Sequence, residues 1–473
     1  MTAIDLGIIG LGVMGRSLAL NAAEKGFSVA VYNRTEARTR DFAKTLPVGA
    51  SIAPAYSIDE LVGGLSKPKR ILLMVKSGAP TDAFIEQLLE TIGPGSVLMD
   101  GGNAHFTDTE RRQTLTEDRG VHFMGIGVSG GEWGARHGPS IMPGGSAEAY
   151  ANVAGILESI AAQGPEGPCC AYLGPGSAGH YVKMVHNGIE YALMQVLAEA
   201  YDIMRRGLGL PITQIADVFG EWNGGLLESY LLEIVPPILQ YTDPLTGDPL
   251  VERIVDEASQ KGTGAWTVQA ALDIGSPSPL IAASVFARLV SSLKSERKEA
   301  AKLLAGPEPA AGQDQEQVLA DLHAAVVIST VVAYAQGFRQ LKDASTEMEY
   351  GLSLEDVARI WMAGCIIRSA LLTPIREAFV ERPDLKLLLA ADPFRAIWNE
   401  HHAGFRRLLA YVRQTGIPVP GMSSALDFAD AYRADRLPAN LIQAQRDFFG
   451  AHTYRRVDVE GDHHTDWEAE SPS

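Results

Sequence analysis

A strand, a glycine-rich turn and a helix at the start of the chain constrain its fold more than any other stretch. Ile4 to Ile9 reads as a short apolar strand and Gly10-Leu11-Gly12-Val13-Met14-Gly15 as the turn. Arg16 to Lys25 then reads as a helix stopped by Gly26, and Ser28 to Tyr32 as a second strand. In a βαβ unit of this kind the first glycine permits the tight turn. The second lets the backbone approach a pyrophosphate, and the third lets helix and strand pack closely. The helix N-terminus then faces the anion.

Further units of the same kind follow. Strands are expected at Arg70 to Val75, Ser96 to Met99 and Val121 to Met124, with helices at Thr81 to Ile92 and Phe106 to Arg119. This alternation predicts a doubly wound, Rossmann-like α/β domain. Its ligands belong beyond the carboxyl ends of the strands, where Lys76 and Asn103 lie.

The end of the second strand bears on the choice of nucleotide. An acid there would hold the ribose 2′-hydroxyl of NAD. This chain instead has Asn33-Arg34-Thr35, a guanidinium between two hydrogen-bonding side chains, which suits the 2′-phosphate of NADP. From Gly125 to Gly145 the chain reads as a long glycine-rich loop, with Ile141 to Gly144 as a possible strand. Within it Ser129-Gly130-Gly131 offers a hydroxyl and accessible backbone N–H groups, fit either for a carboxylate or hydroxyl-rich substrate or simply for a turn.

After the breaker-rich stretch ending at Gly176, strand signals fade and helical periodicity dominates. The next helix carries Lys183, His186, Asn187, Glu190 and Tyr191 at spacings of three and four, so an amine, an imidazole, an amide, a carboxylate and a phenol share one face. A solvated Lys–Glu pair is the plain reading. The helix is too apolar to lie free, however, so the stripe is expected to face a cleft with Lys183 and Glu190 as a base and acid pair. Farther on, Gly209 to Phe219 echoes Gly351 to Trp361, and each is followed by Ser-Tyr-Leu-Leu or Ser-Ala-Leu-Leu, which points to a duplicated helical unit. Lys261-Gly262-Thr263-Gly264 can present an ammonium, a hydroxyl and bare N–H groups to a phosphate but lacks the leading glycine of a P-loop. Arg288 follows on a helix. The apolar segment Leu441 to Tyr454 is expected to dock elsewhere, including on a second subunit.

The expected domains are 1–176 for the nucleotide, 177–437 for an all-helical substrate and dimerisation part, and 438–473 for a tail. A formal net charge of −17 disfavours nucleic acid and anionic membranes as partners. Three cysteines give no disulfide framework. Met1 to Gly10 has no signal-peptide pattern, and no uncharged run has the length of a membrane span, so a cytoplasmic protein is expected.

Together these segments, from the glycine turn through His452, resemble the decarboxylating 6-phosphogluconate dehydrogenase family in its long form. The most specific are Asn33 to Thr35, Ser129 to Gly131, Lys183 to Tyr191, Asp256 to Trp266 and Gln445 to Tyr454. The resemblance implies a homodimer whose tail completes the partner's active site, NADP as cofactor, no metal, and 6-phosphogluconate as substrate. Lys183 would be the general base and Glu190 the general acid. Gly10 through Gly15, Asn33, Arg34, Thr35, Val75, Lys76 and Asn103 would contact the cofactor. Asn103, Ser129, Gly130, Gly131, His186 and Asn187 would hold the sugar acid. Tyr191, Lys261, Thr263 and Arg288, with Arg446 and His452 from the partner, would hold its phosphate. The chain departs from the family pattern at Ala192-Leu193, Met362-Ala363 and Arg455. Two rival readings are a β-hydroxyacid dehydrogenase for a non-phosphorylated acid and a catalytically silent NADP-binding protein.

Overall fold

The structure is a computed structural model, described here for residues 4–307 and 314–467. The N-terminal part contains β1 (Leu6–Ile9), α1 (Val13–Glu24), β2 (Val29–Tyr32), α2 (Glu36–Lys44), β3 (Ile52–Pro54), α3 (Ile58–Gly64), β4 (Arg70–Leu73), α4 (Ala79–Leu89) and β5 (Val97–Asp100). It continues with α5 (Phe106–Glu117), β6 (His122–Ser129), α6 (Gly131–His137), β7 (Ser140–Gly144) and α7 (Ala147–Ile160). The strands form one sheet in the order β3-β2-β1-β4-β5-β6-β7, parallel except for antiparallel β7. This is the doubly wound arrangement, with its switch point between β1 and β4.

Both faces of the sheet are covered, because alternate side chains of each strand enter different cores. Leu6, Ile8, Val97 and Met99 pack on one face with Leu18 of α1 and Val153 of α7. Ile9, Leu73 and Leu98 pack on the other with Leu61 of α3 and Ile85 of α4.

The helical part contains α8 (Ala178–Asp202), α9 (Ile212–Trp222), α10 (Tyr230–Gln240), α11 (Thr263–Asp273), α12 (Pro279–Ser291), α13 (Lys294–Leu303), α14 (Gln315–Glu347), α15 (Leu354–Ile360), α16 (Leu372–Glu381), α17 (Asp392–Thr415) and α18 (Pro420–Arg433). The echoed segments fall on α9 and α15, each following a long central helix. The Ser-Tyr-Leu-Leu and Ser-Ala-Leu-Leu stretches meet in space. Ser229 and Ser369 form an antiparallel bridge, Tyr230 N donates to Arg368 O at 3.0 Å, and Ala370 N donates to Glu228 O at 2.8 Å. α14 is long and apolar enough to cross a membrane, but 78% of its most apolar window is buried inside the fold, as in a core helix.

Met1–Ala425 and Leu426–Ser473 are separate compact units. In the second, α19 (Ala439–Gly450) is tied to the residues after it through Asp447, whose side chain is fully buried. Its carboxylate accepts from Thr453 N, His464 Nδ1, Thr465 N and Trp467 Nε1. Burial pushes the Asp447 pKa up, but these donors outweigh it and hold the group at about 2.

The stretch from Gly125 to Gly145 is not a loop. It is the second half of β6, then α6, then β7. Its glycines serve close packing against α8. A Cβ on Gly127 would stand 2.4 Å from the Cβ of Lys183, one on Gly125 2.7 Å from His180 Nδ1, and one on Gly144 2.2 Å from Gly179 N. Composition suggested flexibility here, whereas the glycines allow a helix to lie directly on a sheet edge. Gly127→Ala is therefore expected to cost about 1–3 kcal/mol of stability by overpacking. Denaturant melts check this, and wild-type stability would mean that α8 stands off the sheet.

Candidate functional site

The glycine turn is held by the protein itself. Gly10 has φ +103°, and a Cβ there would lie 2.4 Å from Met74 O. A Cβ on Gly15 would lie 1.9 Å from Gly10 O. Gly12 is different: a Cβ there meets nothing within 4 Å, so the protein's own packing does not require glycine at that position. The open space leaves room for a ligand to approach the backbone there. Gly12 and Val13 are exposed, Met14 is half-buried, and Leu11 is buried with its N–H donating to Asn33 Oδ1 at 3.0 Å. Asn33 Nδ2 donates to Thr35 O at 3.1 Å, which shapes the turn that leaves Arg34 and Thr35 exposed. These residues fit a dinucleotide with an added phosphate on its ribose. Half-buried Val75 and exposed Lys76 and Asn103 follow β4 and β5 on the same carboxyl edge.

The polar stripe of α8 is buried rather than solvated. Lys183 is 6% exposed and His186 fully buried. Lys183 Nζ lies 3.4 Å from His186 Nδ1. The same Nδ1 lies 3.1 Å from Asn187 Oδ1 and 3.7 Å from Glu190 Oε2. Burial lowers the Lys183 pKa, although the nearby Glu190 charge pulls it back up. Burial raises the Glu190 pKa, and Lys183 and Arg288 oppose that shift. His186 is held well below its usual range by burial and by Lys183, which favours the neutral ring. An amine poised toward its neutral form beside a carboxyl group poised toward its protonated form is the pattern of a base and an acid set by environment.

Some of the other predicted residues meet this stripe. Ser129 Oγ lies 3.0 Å from His186 Nε2. Gly130, at φ +132°, and Gly131, at φ +61°, turn the chain into α6. Asn187 Nδ2 donates to Thr263 Oγ1 at 2.9 Å, and the Arg288 guanidinium lies 3.5 Å from the Tyr191 ring centroid. Lys261 is exposed beside them in sequence. Arg446 and His452 are exposed within the second compact unit, and Ala451 and Thr453, on either side of His452, both have positive φ.

Residues of the second helical repeat also reach the site, and motif reading did not include them. Ile366 N donates to Ser129 Oγ at 3.4 Å, and a Cβ on Gly130 would lie 2.5 Å from Gly364 O. Trp361 meets the His186 ring edge-on at 5.7 Å. The echo ending at Trp361 and the glycine turn after it were visible in the sequence, but their return to Ser129 was not. Ala192 and Leu193, two of the departures from the family pattern, are buried.

Comparison with known proteins decides the family. Residues 5–174 match the NAD binding domain of 6-phosphogluconate dehydrogenase, and residues 179–467 match the 6-phosphogluconate dehydrogenase C-terminal domain. The chain belongs to the 6-phosphogluconate dehydrogenase family. It is 50% identical over 471 residues to the decarboxylating 6-phosphogluconate dehydrogenase of Synechococcus elongatus, covering 99% of this chain and 100% of that protein. It is 48% identical over 468 residues to the NADP(+)-dependent, decarboxylating 6-phosphogluconate dehydrogenase of Bacillus subtilis, covering 99% and 100%. Among solved structures, the Plasmodium falciparum 6-phosphogluconate dehydrogenase superposes with a TM-score of 0.95 at 40% identity, over 98% of this chain and 100% of that one. That enzyme has been solved in its apo form, with its cofactor NADP+ and with its substrate 6-phosphogluconate.

Proposed function

We propose that the chain catalyses the oxidative decarboxylation of 6-phosphogluconate to ribulose 5-phosphate and carbon dioxide, with reduction of NADP. The observation that carries this reading is the buried Lys183–His186–Glu190 cluster on α8, joined to Ser129 at the carboxyl end of β6, the same sheet edge from which the glycine turn leaves β1. Gly10 through Gly15 and Asn33 through Thr35 would hold NADP, with Val75, Lys76 and Asn103 toward its nicotinamide. Bound there, NADP supplies a hydride acceptor.

Neutral Lys183 takes the proton of the carbon 3 hydroxyl as that carbon loses hydride. The product is a β-keto acid, so the ketone accepts the electron pair when carbon dioxide leaves. The Lys183 ammonium, now protonated, donates to the developing enolate oxygen. Protonated Glu190 gives its proton to carbon 1 of the enediol. Ser129, His186 and Asn187 orient the carboxylate and hydroxyls, and Gly130 and Gly131 offer backbone N–H groups beside them. Tyr191, Lys261, Thr263 and Arg288, with Arg446 and His452 from a second copy, would bind the phosphate. Exposed Leu441, Ile442, Phe448 and Phe449 on the tail, and Phe286 and Leu289 on α12, support a homodimer. The three cysteines are free and buried, which suits a reducing cytoplasm.

Mixing the protein with NADP and 6-phosphogluconate, and following NADPH and carbon dioxide together, tests the reaction. Equal release of both is expected. Reduction without carbon dioxide favours a simple β-hydroxyacid dehydrogenase, and no reduction favours a silent binder. Arg34→Ala is expected to weaken NADP binding roughly 10- to 100-fold, the worth of one or two charge-assisted hydrogen bonds, and NAD binding by less than about threefold. Titration calorimetry with both nucleotides checks it, and equal losses would remove Arg34 from 2′-phosphate recognition.

A further inference from the structure

Arg112 on α5 is one of the largest fully buried side chains of the chain, yet none of the motifs includes it. Its guanidinium spends three donors on three different places. Nη1 donates to Asp100 Oδ2 at 3.0 Å, Nε to Asp82 Oδ1 at 2.8 Å, and Nη2 to Gly78 O at 3.2 Å. Gly78, at φ +90°, ends the turn that carries Lys76, and Thr81 Oγ1 at the start of α4 donates to Lys76 O at 3.2 Å. Asp100 ends β5, and its Oδ1 accepts from Gly102 N at 3.0 Å, which fixes the turn that carries Asn103.

The network then crosses to α8. The Asp100 carbonyl is 3.0 Å from His180 Nε2. A carbonyl can only accept, so Nε2 carries the proton and Nδ1 accepts from Thr109 Oγ1 at 2.6 Å. His180 lies under the sheet at Gly125, one helical turn before Lys183. A continuous set of hydrogen bonds, part-buried at the Lys76 turn and buried from Arg112 through Asp100 to His180, therefore runs to the helix that bears the lysine.

The structure assigns Arg112 and His180 as positioning residues: Arg112 sets the two turns that meet the nicotinamide end of NADP, and His180 fixes those turns relative to Lys183. This rests on the reading above, in which Lys76 and Asn103 meet the cofactor and Lys183 meets carbon 3 of the substrate. The protein can bind substrate without this network, but carbon 3 and the hydride acceptor lose their alignment.

The test uses the full-length protein, NADP titrations, melting curves, and turnover of 6-phosphogluconate carrying hydrogen or deuterium at carbon 3. Arg112→Lys keeps the charge but cannot make three bonds in a fork. It is expected to raise the NADP dissociation constant about tenfold, the loss of one charge-assisted hydrogen bond, and to enlarge the deuterium effect on kcat, with the KM for 6-phosphogluconate within about threefold of wild type. Asp82→Asn, at a partly exposed position, serves if Arg112→Lys does not fold, and should raise the dissociation constant in the same direction by about threefold. His180→Leu is expected to enlarge the deuterium effect with the NADP dissociation constant unchanged, and His180→Gln, which can still donate to the Asp100 carbonyl, to restore it. A folded Arg112→Lys protein with wild-type NADP binding and deuterium effect would overturn the proposal. So would a parallel rise in the NADP dissociation constant and the substrate KM with a lowered melting temperature, or identical behaviour of His180→Leu and His180→Gln. If the wild-type protein releases no carbon dioxide, the proposed reaction fails, but the NADP titrations still read the turns.

Discussion

Replacing Lys183 by Met is expected to lower kcat by roughly 10³-fold or more while leaving the NADP dissociation constant within about twofold of wild type. The loss is large because one amine serves two steps. In the proposed mechanism it accepts the hydroxyl proton as a base and donates to the enolate oxygen as an ammonium. Methionine has a similar length and no proton to exchange, so the shape of α8 against Gly127 is kept. Stopped-flow absorbance for NADPH and calorimetry for NADP separate the two effects. Residual turnover within tenfold of wild type would rule out the role of base.

The same substitution carries a stability signature. Burial depresses the folded-state pKa of Lys183, so the fold disfavours the ammonium relative to the unfolded chain, where a lysine titrates at about 10.4. The penalty is fully present below the folded pKa and disappears as pH rises to the unfolded value. Lys183→Met should therefore melt at a higher temperature than wild type at neutral pH, with the gap closing toward pH ~10. A site residue that costs stability is the expected signature of a group kept for chemistry.

Glu190→Gln is expected to slow turnover by roughly 10²- to 10⁴-fold, the usual worth of a positioned acid, while NADPH formation in a single turnover survives. In the proposed mechanism hydride transfer and decarboxylation precede the step assigned to Glu190. In deuterated water the wild-type enzyme should place deuterium on one face of carbon 1, and the variant should place it on both. The pH profile moves as well. The Glu190 charge raises the Lys183 pKa, so its removal lets burial lower that pKa further. The acid limb for NADPH formation should therefore shift to lower pH. Stereospecific product at a wild-type rate, or an acid limb moved upward, would assign the proton to another donor.

His186 shows why the site could be read only in part from sequence. Spacing placed it on one helical face with Lys183 and Glu190, and that face is indeed shared. Spacing could not say that its Nε2 meets Ser129, a contact across 57 residues, or that Trp361 from the second repeat closes over its ring. The glycine-rich stretch at 125–145 misled in the same way. Glycine count predicts a loose turn when the neighbour is unknown, but here the neighbour is α8, and a strand and a helix pack more closely through hydrogen atoms alone.

Arg112 is the sharper case. An arginine in the middle of a polar helix reads as surface charge, and only the fold brings Asp82, Asp100 and Gly78 within reach of one guanidinium.

The sequence by itself determined the βαβ turn, the NADP-compatible Asn33-Arg34-Thr35 end of β2, the polar face of α8 and the family, because each depends on residues close together along the chain. The tertiary structure alone decided which groups are dry, and with that the direction of the Lys183, His186 and Glu190 pKa shifts. It also decided that Gly364 and Ile366 lie against Ser129 and Gly130, and that Arg112 and Asp100 link two turns to α8. Those properties come from desolvation and from contacts between residues far apart in sequence, which no local pattern encodes.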